Sequence, residues 1–420
     1  MLTTTNDKDS FVQKSIFWIV LLAVGYNALL AVVNGNVFSV NFKMAAGFEF
    51  LILLSAIGII VKTEFSILDI KEISLIVFVV IIALLISIVN QYLFIDSIRN
   101  FLIIALFVML GRRISAENLH KLFFVVSFIV FSFLLIEVFA LDLYVHIFNP
   151  ASYYANTRGV IASEFNDTGL FNTANAQQMS DRFGYGLFNG PRTSSIFLEQ
   201  VSISNFMIIL VIYGSVFWDA LSNKKRVFFM ALVLMILITA RSRSALALTI
   251  FALASYHVLP LITRKFSIMI LPAVLSIIFI VYFFMPQENI YSLEDSFRGR
   301  IFHTGLILAS FNIPDYFSIN IHKISNYADS GIPYVIMSYT LIGALVLWIY
   351  IATIVEFESP AHRRFIVLAN LYFWMLLMVG AAVFTIKTAA LLWILAGFLS
   401  VHSNNDKTRK GVKNENTSRC

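Results

Sequence analysis

Arg241 and Arg243 stand two residues apart in TARSRSAL, between the apolar runs VFFMALVLMIL and ALALTIFALA. A guanidinium is a planar fork that can hold a phosphate through two parallel N–H bonds. Two of them between apolar runs suit the gripping of a phosphate or diphosphate at a membrane boundary. The plainer alternative is a pair of side chains snorkelling from a helix end.

A second polar group lies in GPRTSSIFLEQVSISNF, residues 190–206. Helical spacing puts Glu199 on the same face as Arg192 and two turns deeper. Gln200, Ser202, Ser204 and Asn205 surround it in an otherwise apolar span. A charged side chain at mid-membrane costs roughly 2.5–3.5 kcal/mol on insertion scales, so an intramembrane carboxylate is a functional candidate by default. The alternative is a structural carboxylate paired with an arginine of another helix, with Arg243 the candidate partner. The two roles are compatible.

Two further stretches carry reactive types. SFRGRIFHTGL holds Arg298, Arg300 and His303, whose charges are either solvated or turned to a substrate. In NYADSGIPYVIMSYTLIG, Asp329 or Ser330 can cap a helix that has Pro333 in its first turn. Alternatively, Asp329 at the membrane boundary can take a proton from a hydroxyl. Asp96 and Arg99, three apart, are expected to pair with each other, and Lys387 reads as an exposed cation in a short turn. The scattered histidines form no HExxH, and no GxxxxGK[ST] loop is present, so neither a metal, ATP nor another cofactor is expected.

The elements that must position these groups follow from composition. The chain has 420 residues, 59% of them apolar and 13% charged, with 41 Phe. Soluble domains carry about 25% charged residues. An all-α polytopic membrane protein is expected, with twelve spans: Phe17–Val33, Met44–Val61, Ile73–Val89, Tyr92–Leu110, Leu122–Leu141, Ser195–Trp218, Val227–Ala240, Ala245–Thr263, Phe266–Phe284, Tyr334–Ile354, Phe365–Phe384 and Thr388–Val401. Val227–Ala240 is about 21 Å long at 1.5 Å per residue, shorter than a bilayer core, so its arginine turn is expected below the surface. The span that follows is long enough to cross.

With both termini in the cytoplasm, most of the 30 Lys and Arg fall on that side, including those of a 402–420 tail. The whole chain, 1–420, then reads as a single membrane domain. Loops 142–194 and 285–333 lie outside, and loops of such length usually carry function. The net charge of +6 is explained by these cytoplasmic loops without nucleic acid. The lone cysteine, Cys420, allows no internal disulfide.

Taken in order along the spans, these stretches resemble the bacterial polysaccharide polymerase and O-antigen ligase superfamily, the Wzy-type polymerases and their ligase relatives. GPRTSSIFLEQ is similar to the family's arginine followed by a membrane glutamate, with Glu-Gln here where Glu-Pro is frequent. ARSRSALAL is similar to its small-Ser-Arg-small stretch, with Arg243 at the matching position. SFRGRIFHTGL resembles the late-loop arginine, best matched by Arg300, and DSGIPYVIMSYTLIG its loop-to-helix segment. Asp329 stands where the ligases carry histidine, which looks more like a polymerase.

The resemblance implies a GT-C-like fold in the bacterial inner membrane. It implies metal-independent glycosyl transfer at the periplasmic face, from a glycan on undecaprenyl diphosphate to a newly flipped lipid-linked repeat unit. Arg243 and Arg300 would hold the diphosphate, with Arg192, Arg241 and Arg298 in support. Asp329 would face the acceptor hydroxyl, and Glu199 would be its structural or electrostatic partner. The sugars would meet the Tyr/Phe/Asn-rich first loop. A chain-length regulator and a flippase are the implied protein partners. An O-antigen ligase and a flippase of lipid-linked sugars are the competing readings.

Overall fold

The computed structural model describes residues 3–92, 94–159, 169–170, 187–188, 190–285, 297–327, 330–378 and 380–417. Among them every regular element is helical. In chain order these are α1 (Thr3–Asn36), α2 (Phe42–Lys62), α3 (Asp69–Asn90), α4 (Ile95–Gly111), α5 (Ala116–Phe139), α6 (Leu141–Phe148), α7 (Pro150–Arg158) and α8 (Gln200–Phe217). They continue as α9 (Asn223–Ala240), α10 (Arg243–Ala254), α11 (Arg264–Phe284), α12 (Phe297–Ser310), α13 (Ile313–Tyr316), α14 (Gly331–Thr353), α15 (Pro360–Leu377) and α16 (Ile386–Thr417).

Seven of these are long and apolar enough to cross a membrane: Asp9–Asn36, Phe42–Lys62, Asp69–Asn90, Ala116–Phe139, Gln200–Ala220, Arg264–Phe284 and Gly331–Thr353. The chain is a polytopic helical membrane protein. The remaining five expected spans overlap helices α4, α9, α10, α15 and α16, which are not among those seven.

Local chemistry sets the boundaries. Ser115 caps α5 by accepting from the Asn118 N–H at 3.3 Å, and Asn41 caps α2 by accepting from Met44 at 3.0 Å. Asn149 accepts from Ser152 at 3.3 Å while Pro150 opens α7, where a missing N–H is harmless. Gly159 ends α7 at φ 66°, a left-handed cap that glycine takes without strain.

Four expectations are corrected. Ser195–Trp218 is not one helix: a 3₁₀ turn, Ser195–Phe197, precedes α8. The helix before the arginine turn begins four residues earlier than expected, at Asn223, so α9 has 18 residues, about 27 Å, the first four of them polar. The next one stops at Ala254, leaving α10 with 12 residues, about 18 Å, too short to cross alone. Finally, α14 breaks at Thr340, φ 64° and ψ 168°, where the Thr340 N–H bonds Ser318 Oγ at 3.1 Å instead of continuing the helix. The long loops are also partly built: the first contains α6 and α7, the second α12 and α13.

The chain divides into two compact units. Unit 1 comprises Met1–Glu64, Arg113–Leu253 and Ile386–Leu392; unit 2 comprises Phe65–Arg112, Ala254–Thr385 and Trp393–Cys420. In unit 1, α1 packs against α2, α5, α6 and α7, and α8 against α9. In unit 2, α3 packs against α4, and α11 against α12 and α15. There α4 and α16 approach through glycines: a Cβ at Gly111 would overlap the Ile394 carbonyl, and one at Gly397 the Val108 carbonyl. One end of this unit is tied by a buried ion cluster. Arg112 donates to Asp69 Oδ1 at 3.0 Å, to both Glu72 oxygens (Oε1 at 2.8 Å) and to Ser400 Oγ at 3.1 Å. Tyr350 OH completes it at 2.9 Å from Glu72.

Candidate functional site

Residues 191–199 of unit 1 run without α-helix between buried surfaces, with left-handed φ at Ser195 (49°) and Leu198 (60°). Irregular backbone at such a place needs its polar groups satisfied internally. Here they are. Arg192 Nε donates to the Ala240 carbonyl at 2.9 Å, and Thr193 N to the Thr239 carbonyl at 3.3 Å. The Thr193 and Thr239 hydroxyls meet at 2.7 Å. Glu137, buried near the end of α5, accepts from the Ser194 N–H at 2.9 Å, from the Ser195 N–H at 2.6 Å and from Ser194 Oγ at 3.0 Å. Tyr144 OH donates to the Ser195 carbonyl at 2.5 Å.

This segment delivers Glu199 in extended backbone, φ −135° and ψ 131°, immediately before α8. Arg192 and Glu199 are therefore not stacked on a helix face, as helical spacing suggested. Glu199 pairs with Lys387 and Arg158, where Arg243 was the expected partner. Lys387 Nζ lies 2.5 Å from Glu199 Oε2, and Arg158 Nη2 lies 2.5 Å from Oε1. Ser202 Oγ donates to Oε2 at 2.9 Å, and Lys387 also donates to the Phe197 carbonyl at 3.2 Å. Lys387 is 2% exposed, which corrects its reading as an exposed cation. It occupies the first turn of α16, so a position that looks like a connecting turn is an interior one.

Glu199 precedes the membrane-spanning segment Gln200–Ala220. Burial pushes its carboxyl up, but Lys387 and then Arg158 outweigh burial and hold it at about 2. Such a group stays ionised and is a weak base; it orients cations rather than moving protons. Nearby, Tyr153 OH donates to Asn27 at 2.9 Å and Tyr26 OH to Glu49 at 3.3 Å, extending the polar surface along α7, α1 and α2.

The arginine turn divides by role. Arg241 takes the left-handed conformation, φ 52°, is 2% exposed, and donates to the Phe188 and Gly190 carbonyls, the latter at 3.1 Å. It clamps the chain entering the 191–199 segment. Arg243 opens α10 and is exposed. In unit 2, Arg298 is exposed and Arg300 half-buried, both on α12. One turn further, Thr304 Oγ1 donates to the Met378 carbonyl at 2.9 Å and meets Ser330 Oγ at 3.3 Å, fixing α12 to the end of α15 and the start of α14. Asp329 lies outside the described residues, as do 160–168, 171–186 and 189 of the first long loop and 286–296 of the second.

Glu137, Arg158 and Lys387 were not among the sequence candidates. Glu137 carries the same signal as Glu199, a carboxylate in an apolar run, FLLIEVFA. Arg158 gave none, and Lys387 was noticed only as a cation in a turn, because the importance of both comes from a partner far away in the chain. No protein-family model, curated protein or solved structure matches the chain.

Proposed function

We propose that the chain is a polysaccharide polymerase of the bacterial inner membrane, joining lipid-diphosphate-linked oligosaccharide repeat units at the periplasmic face. The single observation that supports this most is the set of cations around Glu199 and the 191–199 segment: Arg158, Lys387, Arg192 and Arg241, all at helix ends or in the chain joining helices. Glycosyl transfer from a diphosphate must stabilise departing negative charge, and fixed cations in a partly dry site do that well. The order of the four sequence stretches, from Arg192 to the segment after Asp329, supports the same reading.

In this reading Arg243 is the diphosphate ligand of unit 1, where Arg192 and Arg241 shape the chain, and Arg300, with Arg298 in support, is the expected diphosphate ligand of unit 2. Glu199 holds cations in place. Its low proton affinity leaves Asp329 as the candidate to accept the proton of the acceptor hydroxyl. As the new glycosidic C–O bond forms, the bond from the sugar to the diphosphate breaks and the diphosphate departs with the electron pair. Arg243→Ala or Arg300→Ala is expected to abolish polymer while protein remains in the membrane and single repeat units accumulate. Arg243→Lys fails too if the two-pronged grip matters. Polymer of natural length from both alanine variants refutes the assignment.

A transporter of lipid-linked sugars is the second reading. The break in α14 at Thr340 favours it, since broken spans form many transport sites. Incubation in detergent with lipid-linked repeat units, with and without lipid A core, separates the classes. Longer glycan marks a polymerase, transfer onto lipid A core a ligase, and unchanged substrate transport.

A further inference from the structure

The two cations that meet Glu199 differ in freedom. Lys387 is buried and is held by both the carboxylate and the Phe197 carbonyl. Arg158 is the last residue of α7, and its side chain is 46% exposed. Among the described residues its guanidinium meets one Glu199 oxygen and the face of the Tyr154 ring, 4.7 Å from the centroid. A guanidinium has five N–H donors, so this pairing leaves capacity for a second anion.

We propose that Arg158 is an exchangeable anion-binding arm for the phosphates of a lipid-linked substrate, and that Lys387 is the fixed counter-ion that permits the exchange. Breaking a buried ion pair normally strands an uncompensated charge. Here it does not. When Arg158 leaves Glu199 for a phosphate, Lys387 stays 2.5 Å from the carboxylate. The guanidinium fork also matches phosphate better than an ammonium does. Glu49, bonded to Tyr26, is a further carboxylate whose field reaches Lys387 and helps to keep that lysine in place. The Tyr154 ring offers the arm a cation–π resting face. For the identity of the anion, a polyprenyl diphosphate, the proposal rests on the polymerase reading.

The test is titration of the full-length protein in nanodiscs with a sugar-free polyprenyl diphosphate, read by native mass spectrometry, with the unfolding temperature measured alongside. R158Q is expected to weaken binding about tenfold or more, the worth of a lost charge-assisted hydrogen bond. Its unfolding temperature should change little, because Lys387 still neutralises Glu199. E199Q/K387M removes one charge of each sign and the carboxylate that competes for Arg158. It is expected to bind at least as tightly as the natural chain. Equal binding by R158Q and the natural chain, no binding by the natural chain, or weaker binding by E199Q/K387M overturns the proposal. Arg158-dependent binding by a chain that never lengthens glycan would sink the polymerase reading and leave the arm standing. A polymerising chain whose R158Q binds normally would sink the arm alone.

Discussion

Lys387 Nζ sits 2.5 Å from Glu199 Oε2, although 188 residues separate the two in the chain. The contact ties the first turn of α16 to the entry of α8, inside unit 1. Because Lys387 is 2% exposed and the Glu199 side chain 13% exposed, each is the other's main compensation for leaving water. Lys387→Met and Glu199→Gln should each destabilise the protein by about 3–5 kcal/mol, the cost of leaving the partner charge buried alone. The double variant should recover most of the loss. Thermal unfolding of the three variants, read as a double-mutant cycle, checks this; additive losses count against it.

The same carboxylate sets a pH dependence. Its folded value of about 2 lies below the ordinary 4.5, so its ionised form stabilises the folded chain. That contribution is complete above pH 4.5 and declines as pH falls toward 2. The gap in unfolding temperature between the natural chain and Glu199→Gln should therefore be constant near neutrality and narrow on acidification below that window. A gap that widens in acid contradicts the assignment.

Arg241 gives a different kind of prediction. Its guanidinium is committed to the Phe188 and Gly190 carbonyls. Arg241→Ala should cost about 2–3 kcal/mol, near the upper range for hydrogen bonds to a charged group, and should loosen the segment leading to Arg192. Affinity of the folded variant for polyprenyl diphosphate should fall only together with stability, because the loosened segment carries Arg192. Normal stability with lost affinity would instead make Arg241 a phosphate ligand.

How much of this was legible in the sequence depends on range. The class follows from composition, because a bilayer core demands long runs without charge, and seven of the expected spans fall on helices long and apolar enough to cross. Glu199 and the arginines also stood out, since charge in such runs is conspicuous. What failed was everything that depends on partners. The helix expected through Ser195 and Glu199 gives way to irregular chain because Glu137, Tyr144 and Thr239 satisfy its backbone. Lys387 looked exposed because hydropathy near a helix end cannot tell a buried cation from a wet one. Ala245–Thr263 is apolar enough for a span, yet the helix stops at Ala254, and its sequence carries no glycine or proline before Pro260 to announce this.

Unit 2 offers an independent check of how these helices hold together. Arg112 is 4% exposed and is shared by two carboxylates, Asp69 and Glu72, that are almost fully buried. Arg112→Leu should destabilise unit 2 by roughly 3–5 kcal/mol, whereas Arg113→Leu, whose Nε donates to Thr63 Oγ1 at 2.6 Å in unit 1, should cost less. Limited proteolysis and thermal unfolding of both variants measure the difference. Equal tolerance of the two would contradict the cluster's role.

The account is tested most directly by incubating the purified full-length protein with lipid-diphosphate-linked repeat units and reading the length of the lipid-linked glycan by mass spectrometry. It predicts a ladder spaced by one repeat unit, reduced to single repeats by Arg243→Ala or Arg300→Ala in folded protein. Single repeats that persist unchanged with the natural chain, at substrate concentrations where binding is saturated, would contradict it.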